Sequence, residues 1–355
     1  MKIHNFSAGP CVLPTQVFQE ASEALLNFDS LGLSIVEISH RSKNFVAVMD
    51  EAVSLVKELL HVPSSHEVIF IQGGASLQFA MTAFNFLTEH GKAQYLDTGV
   101  WASKAFNEAA GLGNAEIIAS SKDRNYSYIP KGYAIDPHSD YFHCTSNNTI
   151  YGAQLKEFPS TEVPVICDMS SDIFSRPVDV AKFDLIYAGA QKNLGPAGAT
   201  LVIVKKSALG KSGRYIPSML DYNTHISKES MFNTPPVFSI YVSMLTLRWL
   251  KENGGVEAIY HKNEAKAALL YREIDRNPLF EGTVAIEDRS SMNACFLLKD
   301  EAAHKEVFNQ LITEARINGL AGHRSVGGYR ASMYNALGED SVQVLVDCMK
   351  ELEKK

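Results

Sequence analysis

Short apolar runs alternate with longer helix-like stretches through the first two-thirds of the chain, and this rhythm restricts the fold more than any other feature. Val68-Ile69-Phe70-Ile71 precedes Gln72-Gly73-Gly74-Ala75-Ser76, and Leu77 to Leu87 then reads as a buried helix. Gln94-Tyr95-Leu96 precedes Asp97-Thr98-Gly99 and a helix from Trp101 to about Ala110. Glu116 to Ala119, Tyr141 to Cys144, Val163 to Cys167, Phe183 to Tyr187 and Ala199 to Val204 continue the series. Strands this uniformly apolar are buried on both faces, so the pattern predicts an α/β fold with a mostly parallel sheet between helices. From about Gly255 the texture changes to a long helix, Val256 to Arg276. Strand–helix–strand elements follow around Cys295 to Leu298 and His304 to Ala315, read as a smaller α+β domain. No repeat, low-complexity tract or long linker interrupts the chain.

Composition removes several classes of function. With 33 Lys and Arg against 40 Asp and Glu, the formal charge of −7 excludes a broad nucleic-acid-binding surface. The start, Met1-Lys2-Ile3-His4-Asn5-Phe6-Ser7, has no apolar signal region, and no run is long enough to span a bilayer. Cys11, Cys144, Cys167, Cys295 and Cys348 are scattered without a Cys-x-x-Cys pair, which argues against a metal site or disulfide framework and fits a reducing cytoplasm. At 355 residues there is room for two domains with sizeable cores.

The chemistry concentrates where strands should end. Tyr187-Ala188-Gly189-Ala190-Gln191-Lys192-Asn193-Leu194-Gly195-Pro196-Ala197-Gly198 places one lysine among small residues just after the run ending at Tyr187. The run Pro164-Val165-Ile166-Cys167 ends in Asp168. An amine and a carboxylate at the carboxyl ends of neighbouring strands stand where open α/β sheets put their ligands. The pair suits pyridoxal phosphate: the lysine forms a Schiff base with the aldehyde, and the aspartate keeps the pyridine nitrogen protonated. Taken singly, Lys192 also reads as a solvated loop residue and Asp168 as a helix N-cap before Met169-Ser170-Ser171.

Gln72 to Ser76, between a strand and a helix, offers glycines for close approach and free N–H groups for a phosphate, or else is only a tight turn. It has neither the dinucleotide nor the P-loop spacing. Trp101, at a helix start, is either core or a flat ring against the cofactor face. Thr149 follows a strand and has a hydroxyl to offer the cofactor's phenolic oxygen. Three basic clusters stand out in an acidic chain: His40-Arg41, His323-Arg324 and Arg330, all flanked by Gly or Ser. Together they suggest a pocket for several anionic groups, since Arg binds carboxylate and phosphate through two hydrogen bonds at once and a nearby phosphate favours charged His.

Six segments, in order, resemble phosphoserine aminotransferases. They are Phe6-Ser7-Ala8-Gly9-Pro10, Glu37 to Ser42, Gln72 to Ser76, Asp168 to Ser171, Gln191-Lys192-Asn193, and Gly322-His323-Arg324-Ser325-Val326-Gly327-Gly328-Tyr329-Arg330-Ala331-Ser332. The Gly-His-Arg-x-Val-Gly-Gly-x-Arg pattern is distinctive of that family among fold-type I pyridoxal phosphate enzymes. The resemblance implies a seven-stranded sheet, a large cofactor domain over 16–255, and a small domain built from 1–15 and 256–355. It also implies a homodimer.

By the same resemblance Lys192 is the Schiff-base lysine, Asp168 the partner of the pyridine nitrogen, Trp101 the stacking ring and Thr149 the neighbour of the phenolic oxygen. Ala75, Ser76 and Gln191 hold the cofactor phosphate, with Asn233 and Thr234 reaching it from the neighbouring subunit. Arg330 binds the α-carboxylate. His40, Arg41, His323 and Arg324 receive the substrate phosphate or the distal carboxylate of glutamate, partly across the interface. Many family members carry Ser where Ala8 stands, and others carry Arg where Ser76 stands, so phosphate charge rests more heavily on the His-Arg doublets.

The implied reaction is reversible transamination of 3-phosphooxypyruvate with L-glutamate to O-phospho-L-serine and 2-oxoglutarate, in serine biosynthesis, with 4-phosphohydroxy-L-threonine as a second candidate substrate. Other readings weighed are an alanine- or serine-glyoxylate type aminotransferase, a nicotinamide-dependent oxidoreductase and a non-catalytic phosphometabolite-binding module. The two anion-binding doublets oppose the first, the missing dinucleotide fingerprint opposes the second, and the Asp168–Lys192 pairing opposes the third.

Overall fold

The structure, a computed structural model, describes residues 2–355. In chain order the elements are β1 (His4–Asn5), α1 (Thr15–Leu26), α2 (Lys43–Leu59), β2 (His66–Ile71), α3 (Gly74–Phe86), β3 (Lys92–Asp97), α4 (Val100–Leu112), β4 (Asn114–Ser120), β5 (Tyr141–Thr145), β6 (Val165–Asp168), β7 (Leu185–Gly189) and β8 (Thr200–Lys205). They continue with α5 (Tyr222–Ser227), α6 (Val237–Glu252), α7 (Gly255–Arg276), β9 (Phe280–Gly282), β10 (Asn293–Leu298), α8 (Glu301–Glu314), β11 (Ile317–Asn318), β12 (Tyr329–Ser332) and α9 (Glu339–Glu353).

The apolar runs form one seven-stranded sheet in the order β2-β8-β7-β6-β5-β3-β4. Its strands, apart from the partly exposed edge strand β4, are buried on both faces because side chains alternate sides. Val68, Phe70, Cys144, Cys167, Ile186 and Ile203 face the core shared with α1, α2 and α6. Ile69, Ile71, Tyr95, Ile166, Tyr187 and Val202 face the core shared with α3 and α4. Neighbouring strands are parallel except at β8, which is antiparallel to both β7 and β2. The segment 190–199 between β7 and β8 contains no helix, and a parallel return needs a crossover of a dozen or more residues. The chain therefore doubles back, with Ala190 N–H donating to the Ala199 carbonyl at 3.0 Å. As a result Lys192 sits in a loop pinned at both ends to the sheet edge.

The last hundred residues build a second core. The antiparallel sheet β12-β10-β9 packs with α7, α8 and α9, and β1 pairs in parallel with β11, which brings Phe6 into this core. Helix α7 runs between the two: Val256 and Ile259 belong to the large-sheet core, Ala267, Leu270 and Ile274 to the other.

Candidate active site

The carboxyl ends of β6 and β7 lie side by side, with Asp168 paired in register to Tyr187. Two residues past the end of β7 the chain reaches Gln191 and then Lys192. A cavity of about 500 Å³ opens at this edge and is lined, among others, by Gly74, Ala75, Ser76, Trp101, Thr149, Asp168, Gln191, Lys192, His323 and Arg330. Residues from 74 to 330 thus meet in one place, with Arg330 arriving on β12 of the second core and the rest from the large sheet's edge and its loops.

Each wall has a local cause. Helix α3 begins after Gly73, whose φ of 97° is one that only glycine adopts freely, and no side chain caps it. Its first N–H groups, at Gly74, Ala75 and Ser76, therefore point into the cavity edge without acceptors, and the positive helix end lies behind them. Trp101 enters on the first turn of α4. Its position follows from Asp97 at the end of β3, which accepts from Ser103 Oγ and from Ser120 Oγ, each at 2.7 Å. Asp168 is not a helix cap, since no helix follows it; its Oδ1 accepts from the Ser170 N–H at 2.9 Å, closing a turn. Lys192 Nζ donates to Thr149 Oγ1 at 2.7 Å, and Arg330 Nη1 donates to the Thr149 carbonyl at 3.3 Å.

The electrostatics leave both central groups short of a partner. Burial pulls the Lys192 ammonium down from 10.5 to about 8, although Asp168 and Cys11 act to hold its charge, while Arg330 adds to the lowering. Burial likewise raises the Asp168 carboxyl despite the opposing Ser170 hydrogen bonds and Lys192. The buried Trp101 Nε1, Thr145 Oγ1 and Arg330 Nε have no hydrogen-bond partner among the described residues. A flat, anionic group with a cationic ring nitrogen answers all of this: phosphate for the free N–H groups of α3, oxygen atoms for the stranded donors, and a positive charge for Asp168. The residues present fit pyridoxal phosphate.

Not every residue singled out in the sequence reaches the cavity. His40 is partly buried with Nε2 unpartnered, while Arg41 and Arg324 are exposed and make no side-chain hydrogen bond among the described residues. Asn233 and Thr234 are exposed and bind Gln72 instead: Asn233 Nδ2 donates to Gln72 Oε1 at 3.0 Å, and Gln72 Nε2 donates to the Thr234 carbonyl at 2.7 Å. His323 lines the cavity, but burial together with Arg330 and Arg324 lowers its pKa. The charged imidazole expected from the sequence therefore requires a bound anion.

Other lining residues were not singled out individually in the sequence. Thr145 ends β5 opposite Asp168, and Asn147, Ser170 and Ser171 complete the floor. Gly9 comes from the N-terminal arm, so close that a Cβ there would lie 3.3 Å from Lys192 Cγ. Cys11 Sγ donates to the Lys192 carbonyl at 2.8 Å, and burial pushes its thiol up to about 12. Only the short motifs around Asp168 and Phe6 to Pro10 pointed toward these neighbours.

This fold and site define a pyridoxal phosphate enzyme of fold-type I, and the family model for class-V aminotransferases matches residues 3–345, so the chain belongs to that family. Within it the likeness narrows. Phosphoserine aminotransferase of Flavobacterium psychrophilum is 63% identical over all of both chains. Among solved structures, one reporting radiation damage of the Schiff base in phosphoserine aminotransferase superposes with a TM-score of 0.96 at 45% identity, covering 100% of this chain and 99% of its own. Phosphoserine aminotransferase from Bacillus circulans subsp. alkalophilus gives a TM-score of 0.96 at 44% identity, covering 99% of each chain.

Proposed function

We propose that the chain catalyses reversible amino transfer between L-glutamate and 3-phosphooxypyruvate, giving 2-oxoglutarate and O-phospho-L-serine in serine biosynthesis. The observation that carries this reading is the convergence of Lys192, Asp168 and Arg330 on one cavity beside the uncapped start of α3. Bound pyridoxal phosphate supplies an aldehyde for the amine and a protonated ring that takes up the electron pair from the substrate α-carbon. Asp168 holds the ring nitrogen protonated. Trp101 would hold the ring by its face, Thr149 would offer its hydroxyl to the phenolic oxygen, and Ala75, Ser76 and Gln191 would hold the phosphate. Lys192, with its ammonium already lowered to about 8, exchanges a proton with the substrate α-carbon as general base and acid. Arg330 binds the α-carboxylate and His323 faces the distal anion, while Arg324, exposed outside this cavity, is grouped with His40 and Arg41 as a further receiver of that anion, partly across the subunit interface. 4-Phosphohydroxy-L-threonine presents the same distal phosphate and is a second substrate on this reading.

The active form on this reading is a homodimer. Asn233, Thr234, His40 and Arg41 lie outside their own chain's cavity, where a neighbouring subunit could use them. The exposed apolar side chains Phe18, Leu26, Leu33 and Val36 precede His40 in sequence and offer a face to cover. The separate cores support a division into a large domain over 16–255 and a small one of 1–15 and 256–355. The unpaired cysteines support a cytoplasmic setting, and no described helix is long and apolar enough to cross a membrane.

The decisive experiment separates the arginines. Arg330→Ala should damage phosphoserine and glutamate turnover by similar factors, because both carry the α-carboxylate. Arg41→Ala should hurt phosphoserine more than glutamate and leave alanine and serine nearly unchanged. A lost charge-assisted contact costs ~1.5–3 kcal/mol, roughly ten- to over a hundredfold in kcat/KM. Equal losses for alanine and phosphoserine in Arg41→Ala would instead favour a glyoxylate-type aminotransferase.

A further inference from the structure

Lys266 on α7 is 2% exposed, and its ammonium binds only main chain. It donates to the carbonyls of Met333, Tyr334 and Leu337 at 3.0, 2.9 and 3.0 Å. A buried lysine without a carboxylate partner is costly to keep, and here three carbonyls gathered in one short segment offset that cost. One turn earlier on α7, Asn263 Nδ2 donates to Asn335 Oδ1 at 2.9 Å, gripping the same segment.

Residues 333–337 then reach Lys192 by two routes. The Asn335 N–H donates to Asn193 Oδ1 at 2.9 Å, and Asn193 is the residue next to Lys192. The Tyr334 hydroxyl donates to the Ala8 carbonyl at 2.7 Å, and Ala8 precedes Gly9, the residue against the lysine stem. Arg330 stands on the strand that leads into this segment.

We infer that Lys266 is a positioning residue for the Lys192 site: its ammonium sets the 333–337 segment, which in turn fixes the N-terminal arm and the loop that carries Lys192. The inference rests on the role proposed for Lys192. An apolar side chain of similar length would fill the volume but leave the buried Met333 and Leu337 carbonyls without a donor and the Tyr334 carbonyl with only the Leu337 N–H at 2.9 Å, so the segment would shift to find water.

The test uses Lys266→Met and Tyr334→Phe in the cofactor-loaded enzyme, with hydrogen exchange followed by mass spectrometry and kcat and KM for phosphoserine measured alongside. In Lys266→Met, amides in 6–12 and 190–195 should exchange at least roughly tenfold faster, with β2 and β8 unchanged. KM should rise as kcat falls. Tyr334→Phe removes only the hydroxyl, so the arm should lose protection while 190–195 keeps it, and this variant carries the test should Lys266→Met fail to fold. Wild-type protection of the arm in either folded variant, even with a lower melting temperature, would overturn the inference. Exchange at the arm is read without turnover, so a failure of the role proposed for Lys192 would show in Lys192→Ala activity and leave this result standing.

Discussion

At the residue scale, burial displaces the pKa of both Lys192 and Asp168; for Lys192 the displacement is usable chemistry, while the raised Asp168 carboxyl needs a cationic partner to stay ionised. An amine near 8 is a competent base at neutral pH, whereas one at 10.5 is almost wholly protonated. The sign can be checked in the cofactor-free protein. Between about pH 8 and 10.5 the unfolded chain holds a proton on Lys192 that the folded chain has released, so stability rises with pH across that window. Melting curves of the wild type should therefore gain on those of Lys192→Met as pH increases from 8 to 10.5. In the loaded enzyme Lys192→Ala should lose at least ~10²–10⁴ in turnover, the general-base contribution alone. Asp168→Asn should keep the fold and slow the half-reaction with phosphoserine, since a neutral amide cannot hold the ring nitrogen protonated. Single-turnover rates close to wild type would reduce Asp168 to a turn former. Asp168 was legible because it closes an apolar run, and Lys192 because it stands alone among small residues just after one. Tyr334 and Asn335 were not, because their partners Ala8 and Asn193 lie 326 and 142 positions away, and no local pattern encodes such a distance.

At the scale of elements, the sheet could be read from its apolar runs, while the direction of β8 needed the length of a connection to be weighed. The start of α3 was read only as a choice between a turn and an anion site; the structure shows the turn, and that turn is compatible with the anion site we propose. Gly73 turns with φ of 97°, and the turn leaves the helix uncapped. A Cβ at Gly73 would lie 2.4 Å from Leu77 Cδ2, so Gly73→Ala must shift the first turn of α3 as well as strain its own backbone. We expect a loss of ~1–3 kcal/mol in stability and a weaker hold on the cofactor, because the free N–H groups move with the turn. Thermal melts and a spectrophotometric cofactor titration report the two effects separately. Unchanged cofactor affinity would mean that the phosphate is held elsewhere.

At the scale of the molecule, composition and rhythm disclosed two cores and little about how they meet. The change of texture at about Gly255 marked where the second core starts, but helix α7 begins in one core and ends in the other, so that change did not show how the two are joined. The expected sharing of sites between subunits is open to a mixing experiment. Lys192→Ala subunits and Arg41→Ala subunits, each nearly inactive, should recover part of the wild-type activity after exchange, because some hybrid sites then carry neither lesion. A fully active monomer at assay dilution would exclude shared sites.

The placement of Arg330 on β12, across the cavity from Lys192 on the large sheet, gives the substrate a mechanical role. On the role proposed for Arg330, an amino acid held by its carboxylate on one side and its nitrogen on the other would add a fastener between two cores already joined by bonds such as Asn335 N–H to Asn193 Oδ1 and Asn147 Nδ2 to Asn293 Oδ1, and its binding energy would become added resistance to their parting. Phosphoethanolamine keeps the phosphate and the amine but has no carboxylate. On the same reading it should bind without adding that fastener, and so resist the parting of the two cores less than phosphoserine does.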